Sequence, residues 1–417
     1  MRKVAVVGSG VAGLTAAHVL ASSCEVTLYE GDHRLGGHAH THELPGPGGD
    51  MVGVDSGFIV HNERTYPTLL RLLRELGIGT QDAEMSMSVR CDGCGLEYAG
   101  ARGPAALFAS RAALRGRHLR LLAEVPVFHR GARRVLARGA DADLTFGGFL
   151  RSGGFSRYFV GHFALPLVAA VWSCPARTAL NYPAAYLFAF LHHHGLLSVT
   201  GSPRWRTVTG GSAAYVAAAA KRIQRVHTSS PVSTVRRTGR GALVTAANRG
   251  TDAFDGVVIA THPDQALRLL GDPTQEERRV LGAFRYARNP TVLHTDTTVL
   301  PRSPRARACW NYRMSGCDPS AEPVRVSYDM RRLQRLPDGA DYVVTLGGED
   351  GIAADRVVER MVYEHPLYTS ASVAAQKLLP RLNDGITAYA GAWHGWGFHE
   401  DGCRSGVAAA RSLGARW

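Results

Sequence analysis

Residues 3–30 read Lys3-Val4-Ala5-Val6-Val7-Gly8-Ser9-Gly10-Val11-Ala12-Gly13-Leu14, then Thr15–Ser23, then Cys24-Glu25-Val26-Thr27-Leu28-Tyr29-Glu30. Lys3–Val7 is a short apolar run, which predicts a buried parallel strand. Gly8–Gly13 has the spacing G-x-G-x-x-G, Leu14–Ala21 continues as a helix, and Glu25–Tyr29 alternates as a second strand. The strand closes on Glu30, 22 residues after Gly8. Each part has a mechanical reason. Gly8 permits the tight turn, Gly10 lets the backbone approach a pyrophosphate, and Gly13 lets helix pack on strand. The helix N-terminus offers free N–H groups and the positive end of its dipole. Glu30 can accept hydrogen bonds from a ribose hydroxyl and would repel a 2′-phosphate. Strand, glycines, helix, strand and acid in register predict a dinucleotide-binding α/β unit.

The rest of the chain bounds what surrounds this unit. Its 417 residues suffice for two or three domains. Hydrophobic residues make up 45% and charged residues 20%, a globular composition. No internal repeat of 20–50 residues stands out, against a solenoid or propeller. Net charge is +13, and only Lys3, Lys221 and Lys377 among the 48 basic residues are lysine. No nucleic-acid module or base-stacking platform accompanies that charge, so no nucleic-acid partner is expected. Seven scattered cysteines do not form a secreted disulfide framework. Val4–Leu20 mimics a signal peptide, but its Gly-Ser-Gly core fits the nucleotide unit better. The nearest approach to a spanning helix, Phe159–Ala176, carries His162 and Pro166. The expected location is cytoplasmic; the arginine-rich stretch 111–138 reads first as a solvated helix face, with peripheral membrane contact as the alternative.

Beyond Glu30 comes Gly31-Asp32-His33-Arg34-Leu35-Gly36-Gly37-His38. This resembles the R-x-G-G-R segment of the flavin-containing amine oxidase and phytoene desaturase superfamily, with His38 in place of the final arginine. Asp55-Ser56-Gly57-Phe58 looks like the family's D-x-G segment beside the flavin ring. Ile59–Pro67 narrows the resemblance to bacterial proteins described only as NAD/FAD-binding. Val208–Ser212 is similar to the family's V-x-G-G segment. Short strands follow to Ala260-Thr261, where the backbone near Val232 would meet adenine and Ala260-Thr261 the pyrophosphate. The C-terminal run Ala390–Ala410 is the most specific match. There Gly391 would lie near the pyrophosphate, and the backbone at His399 would face the flavin pyrimidine edge. Gly397, Phe398 and Glu400 fall on the same motif, with Phe398 replacing the usual tyrosine. The resemblance implies FAD, bound noncovalently because no cysteine follows the covalent-flavin pattern. It implies cofactor contacts at Gly8, Ser9, Gly10, Ala12, Gly13, Glu30, Gly31 and Arg34–His38. Asp55–Phe58, Val232, Ala260, Thr261, Gly391 and Gly397–Glu400 complete that set.

Three further patterns stand apart. Cys91-Asp92-Gly93-Cys94 reads as a hairpin turn with two cysteines beside it, because no second C-x-x-C exists to complete four ligands. His192-His193-His194 cannot point at one ion from consecutive positions. His38, His40 and His42 share a strand face but abut the flavin motif. No metal site is therefore expected. Pro67–Leu76 predicts a helix, 81–98 strands, and Arg356–Tyr363 a helix.

The expected fold is a Rossmann-like FAD-binding domain (1–66, 200–265 and 366–417). It interleaves with a mixed α+β substrate-binding domain (67–199 and 266–365). The resemblance implies hydride transfer to the flavin from a small hydrophobic substrate, lipid-like or polyketide-like, with dehydrogenation as the leading chemistry. An external electron acceptor is then required. His365, His399 and His162 are candidate acid–base groups because imidazole titrates near neutrality. Competing readings are double-bond isomerisation without net redox, amine oxidation, and a non-enzymatic FAD-binding role. No lysine stands where amine oxidases of the family hold a water near the flavin, which predicts slow reaction with oxygen.

Overall fold

The computed structural model describes residues 1–139, 143–198, 201–318 and 324–417. The expected boundary at 199/200 lies outside them. Five parallel strands form the cofactor-side sheet, in the order Arg225–His227, Cys24–Tyr29, Arg2–Val7, Gly256–Ile259 and Thr387–Tyr389. They come from three separated stretches of chain. Val4, Val6, Val26, Leu28 and Val258 are buried on one face of this sheet and Ala5, Val7, Val257 and Ile259 on the other, as continuous apolar runs predict. The helix Val11–Leu20 packs on one face with every residue buried.

Seven strands make the second sheet, from the edge strand Val357–Leu367 through Arg285–His294, Val343–Leu346, Val326–Asp329, Trp310–Met314 and Met87–Cys91 to Leu96–Gly100. Residues 357–367 depart from the expected helix at 356–363. They pair antiparallel with Arg285–His294 from Leu367 opposite Arg285 to Val357 opposite His294. Met361 and Tyr363 turn inward, while Val358 and Val362 face out. A valine-rich run that alternates in this way fits a pleated surface.

Helices cover the sheet. The 22-residue helix Gly116–Ala137 packs against Ala184–His193. Their core is phenylalanine. Phe128 sits within 6.3 Å, centroid to centroid, of Phe146, Phe149, Phe155, Phe159, Phe163 and Phe188, and edge-on geometry dominates, as ring quadrupoles favour. The outer face of the long helix exposes Leu119 and Val127 among its arginines. Among the described residues no helix is long and apolar enough to cross a membrane.

Candidate active site

A cavity of about 370 Å³ opens where the glycine loop, the C-terminal helix and the seven-stranded sheet meet. Gly8 turns at φ +98°, and a Cβ there would stand 2.8 Å from the Ala260 carbonyl oxygen. Only glycine makes that turn. Gly10 is different: a Cβ on it would meet nothing within 4 Å. The helix Val11–Leu20 starts at this open spot with no side-chain cap and no acid in its first turn. Bare N–H groups and a positive dipole end thus face the cavity. Beyond them Glu30 lines the wall, its Oε2 accepting from Ser9 N (2.8 Å) and Ser9 Oγ (2.6 Å). Arg34 Nη1 and His38 Nε2 are buried with no hydrogen-bond partner. A clear glycine surface, uncapped donors, an acid on the wall and the unpartnered His38 Nε2 fit a flavin dinucleotide.

The opposite end of the cavity is built by the C-terminal segment. Gly391, Gly397, Phe398 and His399 line it, and His399 opens the helix His399–Ser412. Asp401 holds the entry to that helix, its Oδ2 accepting from Trp396 N (3.0 Å) and Phe398 N (3.2 Å). His399 stacks on Phe58 with centroids 3.4 Å apart, and its Nε2 lies 3.0 Å from Tyr215 Oη. Trp393 Nε1 donates to the Thr261 carbonyl at 3.1 Å, tying this segment to the glycine loop's neighbour.

Histidines cluster on the side facing the seven-stranded sheet. His38 and His365 have ring centroids 5.5 Å apart, and Tyr363 stacks 5.1 Å from His38. Asn289 Nδ2 lies 2.8 Å from His365 Nδ1; as an amide donor it makes that nitrogen the acceptor and leaves the proton on Nε2. Desolvation lowers His38 to about 3 and His365 to about 4, with neighbouring imidazoles adding to the effect. It pushes His399 well below the ordinary range, with His38 and His61 contributing. All three are neutral at pH 7.

The expected contacts divide cleanly. Gly8, Ser9, Gly10, Ala12, Glu30, Gly36, Gly37, His38, Ser56, Gly57 and Phe58 line the cavity, as do Ala260, Thr261, Gly391, Gly397, Phe398, His399 and the candidate base His365. Gly13, Gly31, Arg34, Leu35, Asp55, Val232 and Glu400 lie behind that surface. Gly13 packs against the Gly8 carbonyl, and Leu35 against the apolar core. Arg34 lies 3.6 Å from Asp32. Asp55 is a buried tie: it accepts from Thr41 Oγ1 (2.6 Å), Ser212 Oγ (2.7 Å) and Gln334 Nε2 (3.0 Å), joining the D-x-G and G-G segments. Glu400 caps another helix, accepting from Thr68 N and Leu69 N at 3.0 Å. His162 is remote from the cavity lining and stands beside Cys94.

Several lining residues had no sequence signal of their own. Tyr363 bonds Ser56 Oγ (2.7 Å) and His40 Nδ1 (3.0 Å), and is delivered by the strand read as a helix. His262 stacks on Tyr286, 4.1 Å away, and approaches Glu364 at 3.3 Å. Trp310, Tyr328 and Leu346 reach in from the sheet, whereas Trp172 and Ser173, which do carry a signal in their match to the narrower bacterial group, enter from the end of the helix Leu165–Trp172. None of the three lysines lines the cavity.

Residues 11–298 match the family model described as flavin containing amine oxidoreductase. AofH of Mycobacterium tuberculosis, by name a flavin-containing monoamine oxidase, is 30% identical over 278 residues. That match covers 65% of this chain and 59% of AofH, so the chain spans less than two thirds of its relative's length. Among solved structures, the CLA-producing fatty acid isomerase from P. acnes superposes with a TM-score of 0.70 at 15% identity, covering 97% of each chain. Cyclohexylamine oxidase from Brevibacterium oxydans gives 0.68 at 15% identity, over 99% of this chain and 98% of that one. At such identity the likeness is one of fold.

Proposed function

Because the chain belongs to the flavin-containing amine oxidoreductase family, whose cofactor is FAD, we propose that it dehydrogenates a hydrophobic, lipid-like or polyketide-like substrate. Seated against the glycine loop, FAD supplies the hydride acceptor. The observation that carries the reading is the composition of the far wall. Trp172, Trp310, Tyr328, Leu346, Trp396 and Phe398 present rings and an aliphatic side chain. Its one carboxylate, Glu364, is already beside His262. An apolar chain gains from burial against this wall, whereas a cationic amine would find ring faces there but no free carboxylate to pair with.

The chain's own groups then orient and move protons. His365 Nε2–H can donate to a polar end of the substrate. His38, held at about 3, stays neutral beside it and adds no charge to the wall. The lining carries no ammonium.

Anaerobic mixing of the FAD-loaded protein with candidate substrates tests this, with loss of the visible flavin band as readout. Bleaching by unsaturated or hydroxylated apolar compounds, followed by slow recovery in air, is the expected result. Peroxide release with simple amines would replace the reading by amine oxidation. Product formation without consumption of an acceptor would replace it by isomerisation. No bleaching by any compound would leave an FAD-binding accessory protein.

A further inference from the structure

The two cysteines of the hairpin do not stand alone. Cys91 ends the strand Met87–Cys91, and Cys94 sits in the turn to Leu96–Gly100. The parallel pairing of 87–91 with 310–314 ends at Cys91 opposite Met314. The loop carrying Cys317 therefore leaves the sheet beside the hairpin turn. The two loops touch at Gly93, where a Cβ would stand 2.9 Å from Gly316 Cα and 3.4 Å from Cys317 N. A third segment arrives from the helices. Val160–Ala164 is one π-helical stretch, and it carries His162; such stretches often re-aim a functional side chain. Tyr98 Oη donates to the His162 carbonyl at 2.7 Å, fixing this segment to the hairpin's second strand.

From this arrangement we infer that Cys91, Cys94, His162 and Cys317 form a mononuclear, tetrahedral zinc site. The four ligand atoms lie within 4.8 Å of one another. Cys91 Sγ and Cys317 Sγ are 3.8 Å apart, and Cys94 Sγ and His162 Nε2 are 3.7 Å apart. Zinc–sulfur bonds of ~2.3 Å at tetrahedral angles put two sulfurs ~3.8 Å apart, and a shorter zinc–nitrogen bond gives slightly less. His162 Nδ1 lies 3.1 Å from the Tyr158 carbonyl. Its proton belongs there, which frees the Nε2 lone pair for a metal and holds the ring in place. Tyr158 stacks on the imidazole at 4.0 Å, and the Arg117 guanidinium lies 5.0 Å over Tyr158. That cation offsets the single net negative charge of Zn²⁺ with three thiolates. Binding releases the three thiol protons to solvent. The exposed Cys317 offers the route of entry.

All four positions are filled by protein, so the site is structural. None of its residues lines the flavin cavity. It fastens the sheet hairpin and the Cys317 loop to the helical segment leading into Leu165–Trp172, which brings Trp172 and Ser173 to the cavity wall. No metal was expected from spacing because His162 and Cys317 are distant in sequence from the hairpin and from each other.

The test uses the full chain, FAD-loaded, without a polyhistidine tag, from zinc-supplemented cells and kept reduced. Elemental analysis should give about one zinc per chain. Growth on cobalt should give the long-wavelength d–d bands of a tetrahedral thiolate site, clear of the flavin bands. Cys317→Ser and His162→Ala should each lower zinc content about tenfold or more while FAD per chain is kept. Should His162→Ala fail to fold, Cys317→Ser in its exposed loop still decides. Protein that stays free of zinc after zinc addition overturns the proposal. So does zinc content indifferent to both substitutions. Five rather than seven titratable thiols in metal-free denatured chain would assign a disulfide instead.

Discussion

At the scale of single residues, the cavity sorts its imidazoles by hydrogen-bond partner rather than by charge. His365 keeps its proton on Nε2 because Asn289 donates to its other nitrogen, while His38 Nε2 has no partner. Replacing His365 by alanine should lower turnover by ~10²-fold or more if it acts in proton transfer. The flavin spectrum should stay unchanged, and steady-state kinetics of the loaded protein checks both. If turnover is intact, His365 is only a wall residue. Because desolvation holds His365 near 4 and His38 near 3, no activity step near pH 6.5 should come from either. Glu30→Ala removes an acceptor for ribose and leaves Ser9 N–H and Oγ–H without their carboxylate. Bonds to a charged group are worth about 1.5–3 kcal/mol, so FAD affinity should fall by roughly 10- to 100-fold in fluorescence titration. Glu30's place on the cavity wall was legible because it follows from a fixed distance to Gly8. Asp55 and Glu400 were not: each sits in a flavin-type motif, yet tertiary packing spends their oxygens on protein N–H and O–H groups.

At the scale of elements, two helices meet at the cavity through small residues. A Cβ on Gly402 would come 2.6 Å from Val11 Cγ1, and one on Gly406 would collide with the Ala12 carbonyl. The N-terminal ends of both helices border the cavity, so their spacing sets its width. Gly406→Ala should cost about 1–3 kcal/mol by overpacking and lower FAD retention as well, measured by thermal unfolding and by flavin content after dialysis. Glu400→Ala uncaps Pro67–Glu75 from afar and should cost about 1 kcal/mol in the same unfolding assay. The strand 357–367 shows where local pattern misleads. Val357, Val358, Met361 and Val362 recur at helical intervals as well as alternating, and only the ten-residue pairing with Arg285–His294 resolves the ambiguity. The glycine-loop unit escaped this trap because its strand, turn and helix cues agree within thirty residues.

Across the whole molecule, burial of neutral histidines sets the response to acid. Desolvation lowers His38, His40 and His394 to about 3, and His61, His129, His194, His294 and His365 to about 4. The unfolded chain protonates them near 6.5, so below that pH it binds more protons than the fold does, and stability falls with pH. Asp55 and Asp401, raised to about 6 by burial, act in the opposite sense: the fold gains from their protonation as pH drops through 6 toward 4. Eight imidazoles outweigh two carboxyls. The unfolding midpoint should therefore drop steadily from about pH 6.5 downward, and scanning calorimetry across pH 7.5 to 5 checks the sign.

The interleaved strands also set a timetable. Val4–Val7 pairs early with Val26–Tyr29, but its other edge stays open until Gly256–Ile259 emerges, and the cavity closes only with Gly391–His399. Until then a nascent chain carries an open, valine-lined strand edge, the kind of surface that recruits chaperones or aggregates. Slower translation at low temperature should raise the soluble fraction more than added FAD does, because the cofactor has no complete cradle to stabilise before residues 391–399 have emerged.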